Sequence, residues 1–218
     1  MKAQAGGVEE LCQQLFLGFY KSGYLAGLRE KSVELSCPFD RRRNGVILGE
    51  GASVLVLEEL SYARQRCAPL LAELKSAATG FGRKGKGITQ AIAQTLREAG
   101  GSIDAVIAAA NSTQGQDAWE TAALKEVLSG RAKEIPVTSI KSSLGELFSA
   151  SGAFTAAAAV CCLEKQMLPP TLNYEEIDPR CDLRLVTGSS QRLKLRSLLV
   201  NAAGAHENAS SALITTLN

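Results

Sequence analysis

Two short segments of this chain carry residue types that could take part in chemistry. The only histidine, His206, stands directly before Glu207. Imidazole titrates near neutral pH, so the two could form an acid–base pair, although a histidine in a polar turn is more commonly solvated or bonded to backbone. In residues 140–147, Lys141 is followed five positions later by Glu146. That segment follows a strand and precedes a helix of small residues, so a cation and an anion share one loop.

The composition limits the classes of function. With 218 residues, 45% hydrophobic and 21% charged, the chain can bury one sizeable core. A formal charge of +2 gives no reason to expect nucleic acid or a membrane surface as partner. No apolar run approaches the roughly 20 residues that span a bilayer. Residues 1–7 lack the apolar core of a signal peptide, so we expect a cytoplasmic protein.

The cysteines indicate neither a disulfide framework nor a metal site. They are scattered and form no C-x-x-C pair, so free and mostly buried thiols are favoured over disulfides or a zinc site. We therefore predict no metal and no cofactor. The six positions are Cys12, Cys37, Cys67, Cys161, Cys162 and Cys181.

The hydrophobic pattern predicts alternating strands and helices, which is typical of α/β layering. Helical spacing covers residues 11–28, 60–67, 88–99, 119–128 and 149–163. Strands are predicted at 103–110, 137–140, 183–186, 197–201 and 211–215, with two more joined at glycines within 46–58. Residues 70–79 fit a strand or a helix by pattern, and a strand is favoured because Pro69 precedes them and a glycine-rich loop follows. Residues 81–87 are rich in glycine and basic side chains and predict an exposed loop.

The charged loop and the segment after it resemble the C-terminal half of β-ketoacyl synthases, which form carbon–carbon bonds in fatty acid and polyketide assembly. That family has K-S-x-x-G-H-x-x-x-A-x-G, then a helix, then P-P-T-x-N. This chain keeps Lys141, Ser142 and Gly145, and it has P-P-T-L-N at residues 169–173. Glu146, however, occupies the position of the family's second catalytic histidine.

Four further segments resemble the same family in the same order. Residues 6–9 match G-G-x-E, residues 38–52 match P-F-D-x-x-R-D-G-x-x-x-G-E-G-A, Asp117 and Glu120 match D-x-x-E, and Asn201 opens a stretch like N-S-F-G-F-G-G-T-N. The resemblance implies an α/β, thiolase-like layered fold, with the C-terminal half complete and the N-terminal half truncated. It implies a remnant of the N-terminal half at residues 1–68 and the C-terminal half at 69–218.

The resemblance also implies that the catalytic set is degenerate. Laid over the sequence from Asp117 and Glu120, the family's H-G-T-S-T-P-x-x-D-x-x-E places Ala109 at the first histidine. The family's nucleophilic cysteine lies upstream of G-G-x-E, and none of the six cysteines occupies its motif. An anion at Glu146 would oppose the negative charge that the family's imidazole stabilises.

Glu120 and Lys141 match a glutamate and a lysine that interact beneath the family's active site. They could retain a proton network, or they could form a buried structural ion pair, which costs roughly 3–5 kcal/mol when one partner is removed. Glu146 would add a second carboxylate near Lys141. Residues that could line an acyl tunnel follow Ala109 in the chain, namely Asn111, Ser112, Thr113 and Gln114.

The resemblance therefore implies a non-catalytic subunit, like the chain-length factors of type II polyketide and aryl-polyene-type synthases. Such a subunit would pair with a full-length catalytic ketosynthase, as a heterodimer or heterotetramer, and shape its acyl tunnel. An acidic acyl carrier protein would reach the complex, where basic residues such as Arg83 to Lys86 could steer it. Two alternatives are a scaffold that only stabilises its partner, and an enzyme with relocated chemistry around His206, Glu207 or Cys161.

Overall fold

The structure, a computed structural model of the chain, describes residues 2–28, 34–204 and 207–217. The strands in these residues are β1 (Lys2–Glu9), β2 (Gly51–Glu58), β3 (Glu73–Phe81), β4 (Ala105–Ile107), β5 (Pro136–Thr138), β6 (Met167–Leu168), β7 (Arg184–Leu185), β8 (Gln191–Arg192), β9 (Ser197–Ala203) and β10 (Asn208–Thr215). The helices are α1 (Gln13–Lys21), α2 (Leu60–Gln65), α3 (Lys86–Ala99), α4 (Gln114–Leu128), α5 (Lys141–Leu144) and α6 (Ser151–Lys165). Short 3-10 turns cover Ser129–Lys133, Phe148–Ala150 and Pro179–Cys181.

Six strands form the main sheet, in the order β3-β10-β9-β4-β5-β7. Strand β10 runs antiparallel to β3 and β9, whereas β9, β4, β5 and β7 run parallel. The carboxyl ends of β4 and β5 therefore open at one edge, where open α/β sheets commonly place their functional loops.

Helices cover both faces of this sheet. Successive side chains of a strand point to opposite faces, so neighbouring residues of β4 pack against different helices. Val106 of β4 packs in a buried cluster with Ile92 of α3 and Leu124 of α4. Its neighbour Ile107 packs in a second cluster with Leu163 of α6. Burial on both faces explains why β4 reads as a continuous apolar run and does not alternate.

A separate ribbon of two antiparallel strands, β1 and β2, packs on another side of α6. Its outer face is apolar and uncovered, since the exposed fractions of Val8, Val54 and Val56 are 63%, 60% and 66%. Two-stranded ribbons are marginally stable unless they pack on other elements. Contact with α6 therefore holds the ribbon on one face only.

The structure confirms the alternation of strands and helices but corrects several boundaries. The helical pattern over 11–28 forms α1 only between Gln13 and Lys21, and the chain then turns so that Leu25 bridges Val46. Residues 46–58 hold one strand, β2, because Val46 and Leu48 form isolated bridges with other segments. Strands β1, β6 and β8 were not predicted.

The predicted exposed loop at 81–87 is shorter than expected. Strand β3 runs to Phe81 and α3 begins at Lys86, so only a tight turn separates them. Gly85 in this turn and Gly87 in the first turn of α3 are both buried. Gly85 has a φ of +85°, and a Cβ there would lie 2.7 Å from the Cβ of Trp119, so close packing on α4 requires glycine.

Candidate functional site

Two polar loops meet at the carboxyl ends of β4 and β5. Ile107 and Thr138 pair in register, so residues 108–113 and 139–146 leave the sheet side by side. Ser139 Oγ donates a hydrogen bond to the carbonyl of Ala110 at 2.8 Å, which ties the two loops together. The structure thereby places the sequence-predicted residues 109–111 beside the charged loop.

The carboxylate of Glu146 lies at the centre of this site and accepts four hydrogen bonds. Its Oε2 accepts from Lys141 Nζ at 2.8 Å and from Asn111 Nδ2 at 2.9 Å. Its Oε1 accepts from Ser151 Oγ at 2.7 Å and from the Phe148 amide at 3.1 Å. A carboxylate offers about four acceptor positions, so all of them are occupied. The residue is 3% exposed.

These contacts keep Glu146 ionised. Burial alone would raise its pKa, but the charge and hydrogen bond of Lys141, with the bonds from Ser151 and Asn111, lower the pKa below its ordinary value of 4.5. An ionised carboxylate without a free lone pair is a poor acid, and as a base it would first have to lose a donor. Glu146 is therefore built to hold the two loops together.

Position 109 offers a substrate only a methyl group. The Ala109 amide donates to Glu120 Oε1 at 2.9 Å, and its carbonyl accepts from Gln116 Nε2 at 3.0 Å. Ala109 itself is fully buried. Its backbone polar groups are thus used inside the fold, and its side chain cannot donate a hydrogen bond to a carbonyl.

The predicted pairing of Glu120 with Lys141 is corrected by the structure. Lys141 Nζ pairs with Glu146 Oε2, while Glu120 Oε1 accepts from the Ala109 amide and from Asn201 Nδ2, both at 2.9 Å. Glu120 is fully buried, and within the described part of the chain its Oε2 makes no direct hydrogen bond. Burial raises the pKa of Glu120 despite its hydrogen bonds and the nearby charge of Lys141. The lysine turns to Glu146 because that carboxylate lies in its own loop.

Asp117 is a second fully buried carboxylate, one helical turn before Glu120. Its Oδ1 accepts from the Asn111 amide at 2.9 Å and its Oδ2 from the Phe39 amide at 2.8 Å. Burial raises its pKa to about 7, against these bonds and the charge of Arg43. Asp117 therefore joins α4 to the loop after β4 and to the segment around Phe39.

Sequence reasoning missed the role of Arg43, which is a fully buried cation below the site. Arg43 Nη1 donates to Asp178 Oδ2 at 2.6 Å and to the Asp40 carbonyl at 2.8 Å, and Nε lies 3.7 Å from Asp117 Oδ2. Arg43 also donates to the Thr113 carbonyl at 3.3 Å. The signal was available, because Arg43 is the arginine of the P-F-D-x-x-R-D-G resemblance.

The residues predicted to line a tunnel divide into two groups. Asn111 and Ser112 are 2% and 0% exposed and take part in internal hydrogen bonds, Ser112 Oγ accepting from the Cys37 amide at 3.0 Å. Thr113 caps α4, its side chain accepting from the Gln116 amide at 3.3 Å. Gln114 begins α4 and is exposed. Only Thr113 and Gln114 retain accessible side-chain surface.

The alternative centred on His206 falls on a residue outside the described part of the chain. Glu207 is described and lies 3.6 Å from Arg83 on the surface. Cys161 is exposed, and all six cysteines are free, although three of them (Cys12, Cys67 and Cys161) are exposed where mostly buried thiols were predicted. Among residues 2–28, 34–204 and 207–217, no cluster of histidine, cysteine or carboxylate side chains is suited to hold a metal ion.

A trough with a volume of about 460 Å³ lies between α6 and the main sheet. Small side chains line it, including Ala77, Gly152, Ala156, Ala202 and Ala212. Helix α6 is apolar around its whole circumference, which is typical of a helix that is buried on every side.

Of the helices that the structure describes, none is long and apolar enough to cross a bilayer.

Comparison with known proteins identifies one family on both parts of the chain. Residues 2–63 match the model of the beta-ketoacyl synthase N-terminal domain, and residues 73–175 match that of the beta-ketoacyl synthase C-terminal domain. The tetracenomycin polyketide synthase ketoacyl synthase alpha subunit of Streptomyces glaucescens is 39% identical over 180 residues, which are 78% of this chain and 42% of that protein.

Solved structures match the whole chain. A type II polyketide synthase acyl-carrier protein in complex with its ketosynthase bound to the hexaketide contains a chain that superposes with a TM-score of 0.93 at 29% identity. The ishigamide ketosynthase/chain length factor gives a TM-score of 0.91 at 28% identity. Both cover all of this chain, which spans 56% and 54% of theirs. The chain thus spans about half the length of its relatives.

Proposed function

The chain belongs to the β-ketoacyl synthase family, and we propose that it is a non-catalytic, chain-length-factor-like subunit that pairs with a catalytic β-ketoacyl-carrier-protein synthase and shapes its acyl tunnel. The observation that carries this proposal is the state of Glu146. At the position of the family's second histidine stands a buried, ionised carboxylate with four hydrogen bonds. Ala109, at the position of the first histidine, has no polar side-chain atom.

The uncovered apolar surfaces support a protein partner. The outer face of the β1–β2 ribbon exposes Val8, Val54 and Val56, and the trough beside α6 is lined by small side chains. Exposed strand edges and apolar ribbon faces favour association with another chain. Obligate interfaces of this type bury more than about 2,000 Å² and resemble a domain core cut in half.

Within such a complex, the tunnel wall would come from the start of α4. Thr113 and Gln114 keep accessible surface there, while Asn111 and Ser112 fix the loop from inside. The carrier protein would meet the basic turn between β3 and α3, where Arg83, Lys84 and Lys86 are exposed. An acidic protein would be steered by these charges, and its association rate would fall with added salt.

We predict that the isolated chain neither condenses nor decarboxylates malonyl-carrier protein. The physical reason is that Ala109 and Glu146 cannot stabilise an oxyanion, since one has no polar side chain and the other is an anion. The measurement is release of labelled carbon dioxide by the purified chain. The control is a mock preparation from cells that do not express the chain. Release by the purified chain above that background would contradict the prediction.

We also predict that the chain forms a stoichiometric complex with a catalytic ketosynthase. Co-expression with a type II ketosynthase, followed by mass measurement of the intact complex, tests this directly. Val56→Glu should weaken the complex strongly, because it puts a charge into the apolar ribbon face. Gln90→Glu, which adds a charge at an exposed position of α3 outside the ribbon, is the control. A monodisperse monomer that melts cooperatively and ignores every ketosynthase would count against the proposal.

A pure scaffold is the second candidate, and it is favoured by the internal engagement of Asn111 and Ser112. Gln114→Trp separates the two candidates, since it enlarges a surface side chain at the start of α4 and leaves the buried network in place. If the chain shapes the tunnel, the complex should release shorter products, as measured by mass spectrometry. Unchanged product length with an intact complex would favour the scaffold.

A further inference from the structure

The buried charges below the site do not balance. Among the described residues, five carboxylates are at most 3% exposed, whereas only two cations are, Arg43 and Lys141. The carboxylates are Asp40, Asp117, Glu120, Glu146 and Asp178. Removal of an ionised carboxylate from water without a counter-charge is costly, so such a group generally takes up a proton. Two buried cations cannot neutralise five carboxylates, so the protonation state of each carboxylate depends on whether a further cation lies nearby.

Four of these carboxylates have a cation within reach. Asp40 pairs with Arg42 at 2.9 Å, and Glu146 pairs with Lys141 at 2.8 Å. Asp178 pairs with both Arg43 and Arg180, at 2.6 and 2.8 Å. Asp117 lies 3.7 Å from Arg43. Each pairing uses an arginine or lysine that the fold holds in place.

Glu120 is the carboxylate that is left over. The charged groups that face it are Lys141 of α5, whose ammonium is bonded to Glu146, and Asp117 of its own helix, which is an anion when ionised. The loop after β4 and strand β9 contribute uncharged groups, the Ala109 and Ala110 amides and Asn201. Glu120 is fully buried, and its Oε2 makes no direct hydrogen bond to any of the described residues. Burial raises the pKa of Glu120.

We propose that Glu120 is a neutral carboxylic acid in the folded chain and that its ionisation is a pH-sensitive release for α4. Through Oε1, Glu120 joins α4 to the loop after β4 and to Asn201 of β9, and Asn201 accepts in turn from Ser211 of β10 at 2.8 Å. A negative charge on the unpartnered Oε2 would act against this whole set of contacts. The device resides in this chain alone and operates whether or not a ketosynthase partner is bound.

The sign of the effect follows from the direction of the shift. A carboxyl whose folded-state pKa lies above its unfolded value of 4.5 stabilises the fold fully below pH 4.5. That contribution is lost as the pH rises through the folded-state pKa. Each unit of difference between the two pKa values changes the unfolding equilibrium constant tenfold. The free energy of unfolding of the wild type should therefore fall as the pH rises above 4.5.

The first test measures urea unfolding of the full chain at several pH values for the wild type and Glu120→Gln, whose amide keeps the Oε1 acceptor without a titrating proton. From about pH 5 to about pH 9, we expect the wild-type unfolding constant to rise at least about tenfold relative to that of Glu120→Gln. Glu126→Gln, an exposed position on the same helix, is the matched control and should follow the wild type. If the wild-type unfolding constant divided by that of Glu120→Gln stays constant or falls as the pH rises, the proposal is wrong.

The second test needs no variant that folds. In the full chain labelled with ¹³C-glutamate, the side-chain carbonyl signal of Glu120 reports its protonation in the folded state. A titration midpoint above the ordinary value of 4.5 supports the proposal, and a midpoint at or below 4.5 overturns it. If Glu120 were only an ionised hydrogen-bond acceptor, its titration midpoint would lie at or below the ordinary value, because the donors at Oε1 favour the ionised form.

Discussion

Arg43→Met is expected to lower the free energy of unfolding by about 3–5 kcal/mol, which is enough to unfold a marginal domain. The change leaves Asp117 without its nearest cation and removes one of the two arginines from Asp178. It also removes the guanidinium hydrogen bonds to the carbonyls of Asp40 and Thr113, each of which keeps one backbone N–H donor. Urea denaturation monitored by circular dichroism measures the loss.

Arg41→Met is the matched control for this prediction, because Arg41 lies two positions earlier and is exposed. Surface substitutions of this kind usually change stability by less than about 0.5 kcal/mol. Equal effects at the two positions would show that the buried network around Arg43 contributes nothing beyond the loss of one positive charge.

Lys141→Met is expected to cost a few kcal/mol, because it keeps the length of the side chain but leaves the Glu146 carboxylate buried without a counter-charge. The loss should also depend on pH. A carboxyl with a lowered folded-state pKa stabilises the fold above its ordinary value of 4.5, and this contribution is lost as the pH falls below it. Without Lys141 the acid-sensitive part should shrink, as unfolding curves at pH 4 and pH 7 would reveal.

Two further variants make the Lys141 experiment specific. Lys165→Met removes an exposed lysine at the end of α6 and should be nearly neutral. Lys141→Met combined with Glu146→Gln should be less destabilised than Lys141→Met alone, because the glutamine amide is neutral and leaves no buried charge without a counter-ion. Strict additivity of the two single changes would mean that Lys141 and Glu146 do not interact.

The sequence alone was sufficient to predict features that depend on a short stretch of neighbouring residues. The apolar runs at 103–110 and 197–201 gave β4 and β9, and the ordered motifs from Gly6 to Asn201 gave the family and the layered fold. The prediction that Ala109 and Glu146 occupy the positions of the family's two histidines likewise rests on the order and spacing of motifs along the chain. These are statements about residue types along the chain, and they require no distances.

Only the tertiary structure decided which charges are paired. Sequence reasoning paired Lys141 with Glu120 and expected Glu146 as a second carboxylate nearby; the structure pairs the lysine with Glu146 and leaves Glu120 bonded to backbone and Asn201. It also brings Arg43 to Asp178, 135 positions away, across a buried interior. A side chain reaches several ångströms and burial multiplies the strength of each charge, so partners and protonation states depend on packing that no local pattern records.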